Sequence, residues 1–182
     1  MDLLILILFA IVVFVCIIIA IYTFIYNKFQ DVIIRINEVE ASIDTNLRNK
    51  YDNINRSISL IKANVDIKND IFDEIIKLRS RKISNFDLDR KLVEAYNELL
   101  NIKESNKKEL KSDELNKIFK QLKEIDMKLD TYRNYYNANI AKYNKMVKSF
   151  PTNIVALMCK YQEKLFFDMK DMSDEDVEDF KL

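Results

Sequence analysis

The chain has 182 residues with no histidine, no glycine and a single proline, and its 29 Lys plus Arg balance 29 Asp plus Glu. Those counts exclude imidazole acid–base pairs, histidine-containing zinc sites and glycine-rich phosphate loops, each of which needs a residue type that is missing. Balanced charge gives no drive toward nucleic acid, and the scarcity of turn formers favours long helices joined by polar links.

The first element is apolar. From Leu3 to Tyr26 there is no charged residue. About 24 residues at ~1.5 Å each reach about 36 Å, enough to cross a hydrocarbon core of ~30 Å with some tilt. A cleaved leader would need a basic start and a small-residue cleavage site; the only early charge is Asp2, so a retained transmembrane helix is expected over 3–26, with residues 1–2 before it. Tyr22 and Tyr26 fall at its exit end as an interface belt, and Lys28, Arg35 and Arg48 follow. By the positive-inside rule these cations put the N-terminus outside and the soluble domain in the cytoplasm. The partner this segment implies is the lipid bilayer.

Residues 27–167 read as one helical domain. Val39, Ile43, Leu47, Tyr51, Ile54, Ile58, Ile61 and Val65 recur at steps of three and four, which places them on one stripe of a helix running over about 28–79. The polar stretch Ser80 to Asn85 is expected to turn, with Asn85 or Asp87 as the next N-cap. A second helix over about 87–102 carries Leu88, Leu92, Tyr96 and Leu99 on one face.

The longest pattern is a heptad-like seam over about 113–150: Leu115, Ile118, Leu122, Ile125, Leu129, Tyr132, Tyr136, Ile140, Tyr143, Val147 and Phe150. Ser112 can cap it, Asp113 and Glu114 suit the positive end of the helix dipole, and Pro151 is expected to stop it after Phe150. A short helix over about 154–167 would close the bundle. The last stretch, 168–182, is acidic and poor in apolar residues, the composition of a disordered tail. The expected fold is therefore all-α: an N-terminal transmembrane helix followed by a long antiparallel helical bundle with coiled-coil-like packing.

Other features have bland readings. Cys16 lies inside the apolar segment, far along the chain from Cys159, so no disulfide between them is expected, and both are expected as small buried hydrophobes. The lysines 103, 107, 108, 111, 117 and 120 are interleaved with Glu104, Glu109, Asp113 and Glu114, which reads as a solvated loop rather than a lipid or nucleic-acid site. Tyr132, Tyr135, Tyr136 and Tyr143, with neighbouring asparagines, suit ring packing in a core with hydroxyls at its edge. Asp44 and Arg48, four apart on a helix, can pair for about 0.3–0.5 kcal/mol.

The chain resembles the LemA family of bacterial membrane-anchored proteins. The resemblance is carried by Tyr26-Asn27, Ile43-Asp44, Leu47-Arg48, Lys50-Tyr51-Asp52 and Arg79. It continues in Tyr135-Tyr136-Asn137, Tyr143-Asn144, Phe150-Pro151-Thr152-Asn153-Ile154-Val155-Ala156 and Glu163-Lys164-Leu165-Phe166-Phe167. The family's proline after its Tyr-Asp pair is absent here, where the chain reads Asn53-Ile54-Asn55-Arg56. The glycine-containing stretch before the terminal aromatics is replaced by Met158-Cys159-Lys160-Tyr161. The resemblance implies a short extracytoplasmic N-terminus, one transmembrane helix and a bundle of long antiparallel helices. It names an architecture and no activity.

The functional expectation is a non-enzymatic, membrane-anchored helical scaffold at the cell membrane that binds protein partners or self-associates through its bundle. No cofactor, metal, catalytic residue, small-molecule ligand or nucleic acid is expected. The alternative is a membrane-linked sensor or regulatory module that transmits a shift through the stalk helix.

Overall fold

The structure is a computed structural model in which residues 2–65, 70–77 and 84–167 are described. These form helices α1 (Asp2–Lys62), α2 (Asp70–Lys77), α3 (Asn85–Ser105), α4 (Asp113–Lys148) and α5 (Thr152–Cys159), with no strand among the described residues. The all-α expectation holds. The acidic stretch 168–182 lies outside the described residues.

Helix α1 changes character along its length. Almost every side chain from Leu3 to Phe24 is exposed, and this is the one helix among the described residues long and apolar enough to cross a membrane. From Ile25 onward a buried stripe begins: Ile25, Phe29, Val32, Ile36, Val39, Ile43, Leu47, Ile54, Ile58 and Ile61. With buried Lys50 filling the place between Leu47 and Ile54, steps of three and four keep these residues on one face, so the same helix presents an apolar surface all round at its start and a single, largely apolar stripe later.

The chain divides into two compact units. One comprises α1 up to Glu38 with Asn137–Phe166; the other comprises the described parts of Val39–Tyr136 with Phe167. In the first, Phe29 is fully buried, with its ring 5.9 Å from Tyr143 and 5.0 Å from Tyr161. Ile140, Met146, Val155 and Ala156 complete its core.

In the second unit, α1 and α4 run in opposite directions. Arg56 pairs with Glu114 at the start of α4, while Lys50, earlier in α1, pairs with Asp126 further along α4. α3 is likewise antiparallel to α4, since Tyr96 meets Phe119 and Asp89 meets Arg133. The shared core contains Leu47, Ile54, Leu92, Leu99, Leu122 and Leu129, with Phe72 and Ile75 from α2 also buried.

The helix expected to continue to Arg79 ends at Lys62. Ala63 N–H still bonds Ser59 O, but Asn64 N–H turns to Ile61 O, and the Asn64 side chain takes Leu60 O at 2.7 Å. Asparagine competes with the helix for backbone groups, and here it closes the last turn. The reversal that follows is visible in Tyr51, whose hydroxyl donates to Ile76 O. In one unbroken helix, 25 residues would separate these groups by about 37 Å. The expected turn over Ser80–Asn85 falls mostly outside the described residues. At its end Ser84, rather than Asn85 or Asp87, caps α3, its Oγ accepting from Asp87 N–H at 3.1 Å.

Helix α4 begins as expected, with Ser112 Oγ accepting from Leu115 N–H at 3.4 Å, and stops at Lys148, two residues before Phe150. The helix expected over 154–167 is confined to Thr152–Cys159. Lys160 takes a left-handed conformation (φ 55°), and Tyr161 N–H reaches back to Ala156 O at 2.9 Å. This is a Schellman-type closure achieved without glycine.

Candidate interaction sites

Among the described residues, each unit holds polar side chains that tie its helices together. In the unit containing Phe29, the corner between α4 and α5 is built from side-chain hydrogen bonds to backbone. Thr152 Oγ1 donates to Met146 O and Ser149 O at 2.5 and 2.8 Å, satisfying carbonyls that the end of α4 would leave open. Asn144 grips the segment after α5 from both sides. Its Nδ2 donates to Lys164 O at 2.8 Å, and its Oδ1 accepts from Lys164 N–H at 2.9 Å. Lys148 and Glu163 add an exposed ion pair at 2.8 Å.

This corner packs on the exit end of the apolar stretch. Tyr22 Oη lies 3.6 Å from Cys159 Sγ, and Gln30 Nε2 donates to Tyr161 Oη at 2.8 Å. A groove of about 380 Å³ lies between Ile18, Ile21 and Tyr22 of α1 and Ile154, Val155 and Met158 of α5. Its lining is apolar, so it offers no group to orient a polar ligand. Burial pushes the Tyr143 hydroxyl above its ordinary pKa of 10.0, and burial is also the first cause of the upward shift at Tyr161.

In the other unit the centre is Arg133, only 3 % exposed. Its guanidinium forks, Nη2 donating to the buried Asp89 at 2.5 Å and Nη1 to Asp130 at 2.7 Å. It also lies 5.8 Å from the ring of buried Phe167. Phe167 packs on Phe86 at 4.6 Å and edge-on to Tyr136 at 6.1 Å. Burial, then the charge of Glu40, raises the Tyr136 pKa. A second buried cation, Lys50, reaches Asp126 at 2.6 Å and sits 5.8 Å from the Tyr96 ring. Both cations neutralise aspartates on neighbouring helices, which couples helix identity to helix partner.

The residues singled out by sequence are distributed between these places. Ile43 and Leu47 are core, Tyr51 is half-buried on Ile76 O, and Asp44 with Arg48 forms the expected exposed pair at 2.9 Å. Tyr136 is core in one unit; Tyr143, Asn144 and the half-buried Asn137 belong to the other. Tyr26 stacks on Tyr22 at 6.3 Å and Asn27 is exposed. Pro151 precedes α5 as its N-cap, and Asn153 donates its N–H to Ser149 O while its side-chain Oδ1 is buried without a hydrogen bond.

The structure places several of these side chains differently from the pattern. Phe150 is 80 % exposed rather than the last residue of the seam, because α4 has already ended. Tyr132 and Val147 are half-buried beside buried Arg133 and Met146, and Leu88 and Tyr96 yield the α3 face to Asp89 and Ala95. Neither cysteine is buried: Cys16 is exposed on the apolar helix and Cys159 is partly exposed beside Tyr22. The lysine run is solvated as expected, except that Lys103 places its ammonium 4.3 Å over the Phe119 ring.

The ionic constellations missed by sequence reasoning, Arg133–Asp89 and Lys50–Asp126, do leave a signal. Each cation sits three or four residues from core positions on both sides, within a largely apolar stripe. Among the described residues no group of three or more Cys, Asp or Glu is placed to hold a metal ion. No curated protein matches the chain. The LemA family profile matches residues 39–179, more than half of the chain, taking in α1 from Val39 onward and all of α2–α5. The chain belongs to the LemA family.

Proposed function

We propose that the protein is a non-enzymatic helical scaffold, anchored in the cell membrane by residues 3–26, whose bundle binds protein partners or a second copy of itself. One observation carries this reading: α1 is unbroken from Asp2 to Lys62, with an uncovered apolar surface over its first part and a buried stripe over the rest. Water does not tolerate an uncovered apolar helix of that length, and a bilayer does. Arg133 with Asp89 and Lys50 with Asp126 form ion pairs, and Asn144 clamps the backbone of Lys164, which supports a structural use for these groups. The cations Lys28, Arg35 and Arg48, all after the apolar stretch, favour a cytoplasmic bundle.

Crosslinking of the full chain in cells, followed by membrane isolation, tests the reading. The protein is expected in the membrane fraction with discrete crosslinked species, either its own dimers or complexes with other proteins. Recovery from that fraction as uncrosslinked monomer would overturn the scaffold role.

A further inference from the structure

We propose that α5, together with Phe150, lies in the membrane interface beside the anchor and forms a second contact with lipid. This rests on the reading of residues 3–26 as a transmembrane helix. From Phe150 to Cys159 the chain has no charged residue, and Lys148 and Lys160 flank the stretch. Only Val155 and Ala156 of α5 are buried; Leu157 is 79 % and Met158 66 % exposed, and Ile154 is also exposed. A contiguous apolar surface of this kind marks a binding face.

Position identifies what covers it. α5 shares the apolar groove with Ile18, Ile21 and Tyr22, and Cys159 Sγ lies 3.6 Å from the Tyr22 hydroxyl. At ~1.5 Å per residue, Ile18 is about 22 Å and Ile25 about 33 Å along the helix from Leu3, against a hydrocarbon core of ~30 Å. A helix packed on this stretch therefore lies where the anchor leaves the hydrocarbon. At about 12 Å long, α5 is too short to span a bilayer and suits the boundary between acyl chains and headgroups. The lipid-facing band of α1 continues directly onto Ile154 and Met158 across the groove.

Part of the backbone at the two ends of α5 is suited to that environment. Non-aqueous surroundings require polar main-chain groups to find partners within the protein. Asn153 N–H bonds Ser149 O, Ile154 N–H bonds Pro151 O, Pro151 has no N–H, and the far end closes through Lys160 and Tyr161 onto Leu157 O and Ala156 O.

The test uses the full chain in nanodiscs at one copy per disc, with Cys16→Ser and Cys159→Ser. An environment-sensitive fluorophore is placed singly at Leu157→Cys, at Val12→Cys within the anchor and at Glu124→Cys on α4. Quenching is measured with lipids spin-labelled near the headgroup or at mid-chain, and with aqueous iodide. The label at 157 is expected to be quenched by headgroup-proximal lipid and to be about threefold less accessible to iodide than the label at 124. Quenching at 12 by mid-chain lipid, with 157 open to iodide and unaffected by lipid, would overturn the proposal while leaving the anchor intact. Failure of lipid quenching at 12 would remove the anchor and the proposal together. If 157 is shielded only when several copies share a disc, the face is covered by a second copy and the lipid contact is wrong.

Discussion

Lys50 of α1 is wholly buried and holds its ammonium 2.6 Å from Asp126 of α4 and 5.8 Å from the ring of Tyr96 on α3. One side chain therefore reads two neighbouring helices. Removing only the carboxylate leaves a buried cation without its partner, so Asp126→Ala is expected to destabilise the bundle by about 2–4 kcal/mol, below the fully buried limit because Asp126 is partly exposed. Lys50→Met combined with Asp126→Asn should lie closer to the wild type than Asp126→Ala alone. Thermal unfolding of the full chain, followed by circular dichroism, checks both, and equal midpoints for Asp126→Ala and the wild type would show that the pair does not matter.

Arg133 cannot be replaced conservatively. Its planar fork joins Asp89 on α3 to Asp130 on α4 while stacking near Phe167, and lysine offers a point charge instead. Asp89→Ala is expected to cost about 2–4 kcal/mol and Arg133→Lys about 1–2 kcal/mol. Protease sensitivity near Phe167 should rise in both variants, and a cleavage pattern identical to the wild type would contradict the link between Arg133 and that segment.

These ionic positions explain how far the sequence could be read. The apolar stripe of α1, the seam of α4 and the all-α fold follow from steps of three and four, because hydrophobic burial dominates those positions. Where the step is ambiguous by one residue, apolarity misleads. Leu47 can continue to Lys50 or Tyr51, Leu129 to Tyr132 or Arg133, and Leu92 extends back to Leu88 or Asp89. In each case the more apolar residue is the natural choice, and the structure buries the charged one. A charge enters the stripe only when its counter-ion lies on another helix, a long-range fact that local periodicity does not contain. The boundaries at Lys62 and Cys159 were hidden for a different reason. Asn64 and Lys160 end their helices without the glycine or proline that usually marks such ends.

Asn144 should control the segment after α5. Asn144→Ala removes both hydrogen bonds to Lys164, worth about 1–3 kcal/mol together. Hydrogen exchange over residues 160–166 is expected to accelerate, with α3 unchanged. Unaltered exchange at Lys164 would show that the clamp does not hold the segment.

Alkaline stability follows from the tyrosines. Tyr96, Tyr136, Tyr143 and Tyr161 all have pKa values raised above 10.0, with burial as the first cause. A raised folded-state pKa contributes stability that is fully present below 10.0 and is lost as pH rises through the folded value. The contribution of these groups should therefore be constant near neutrality and fall in the strongly alkaline range. Tyr136→Phe should flatten that fall, and an unchanged alkaline slope of the melting midpoint would exclude Tyr136 as a contributor.

The membrane-anchored scaffold is tested most directly by topology in cells. With Cys16 and Cys159 changed to serine, Glu124→Cys supplies one exposed thiol in the bundle, to be probed with a membrane-impermeant maleimide on intact and permeabilised cells and followed through carbonate washing of the membranes. The expected result is protein that resists carbonate extraction and is labelled only after permeabilisation. Release by carbonate would contradict the anchor, and labelling of intact cells would contradict the cytoplasmic bundle.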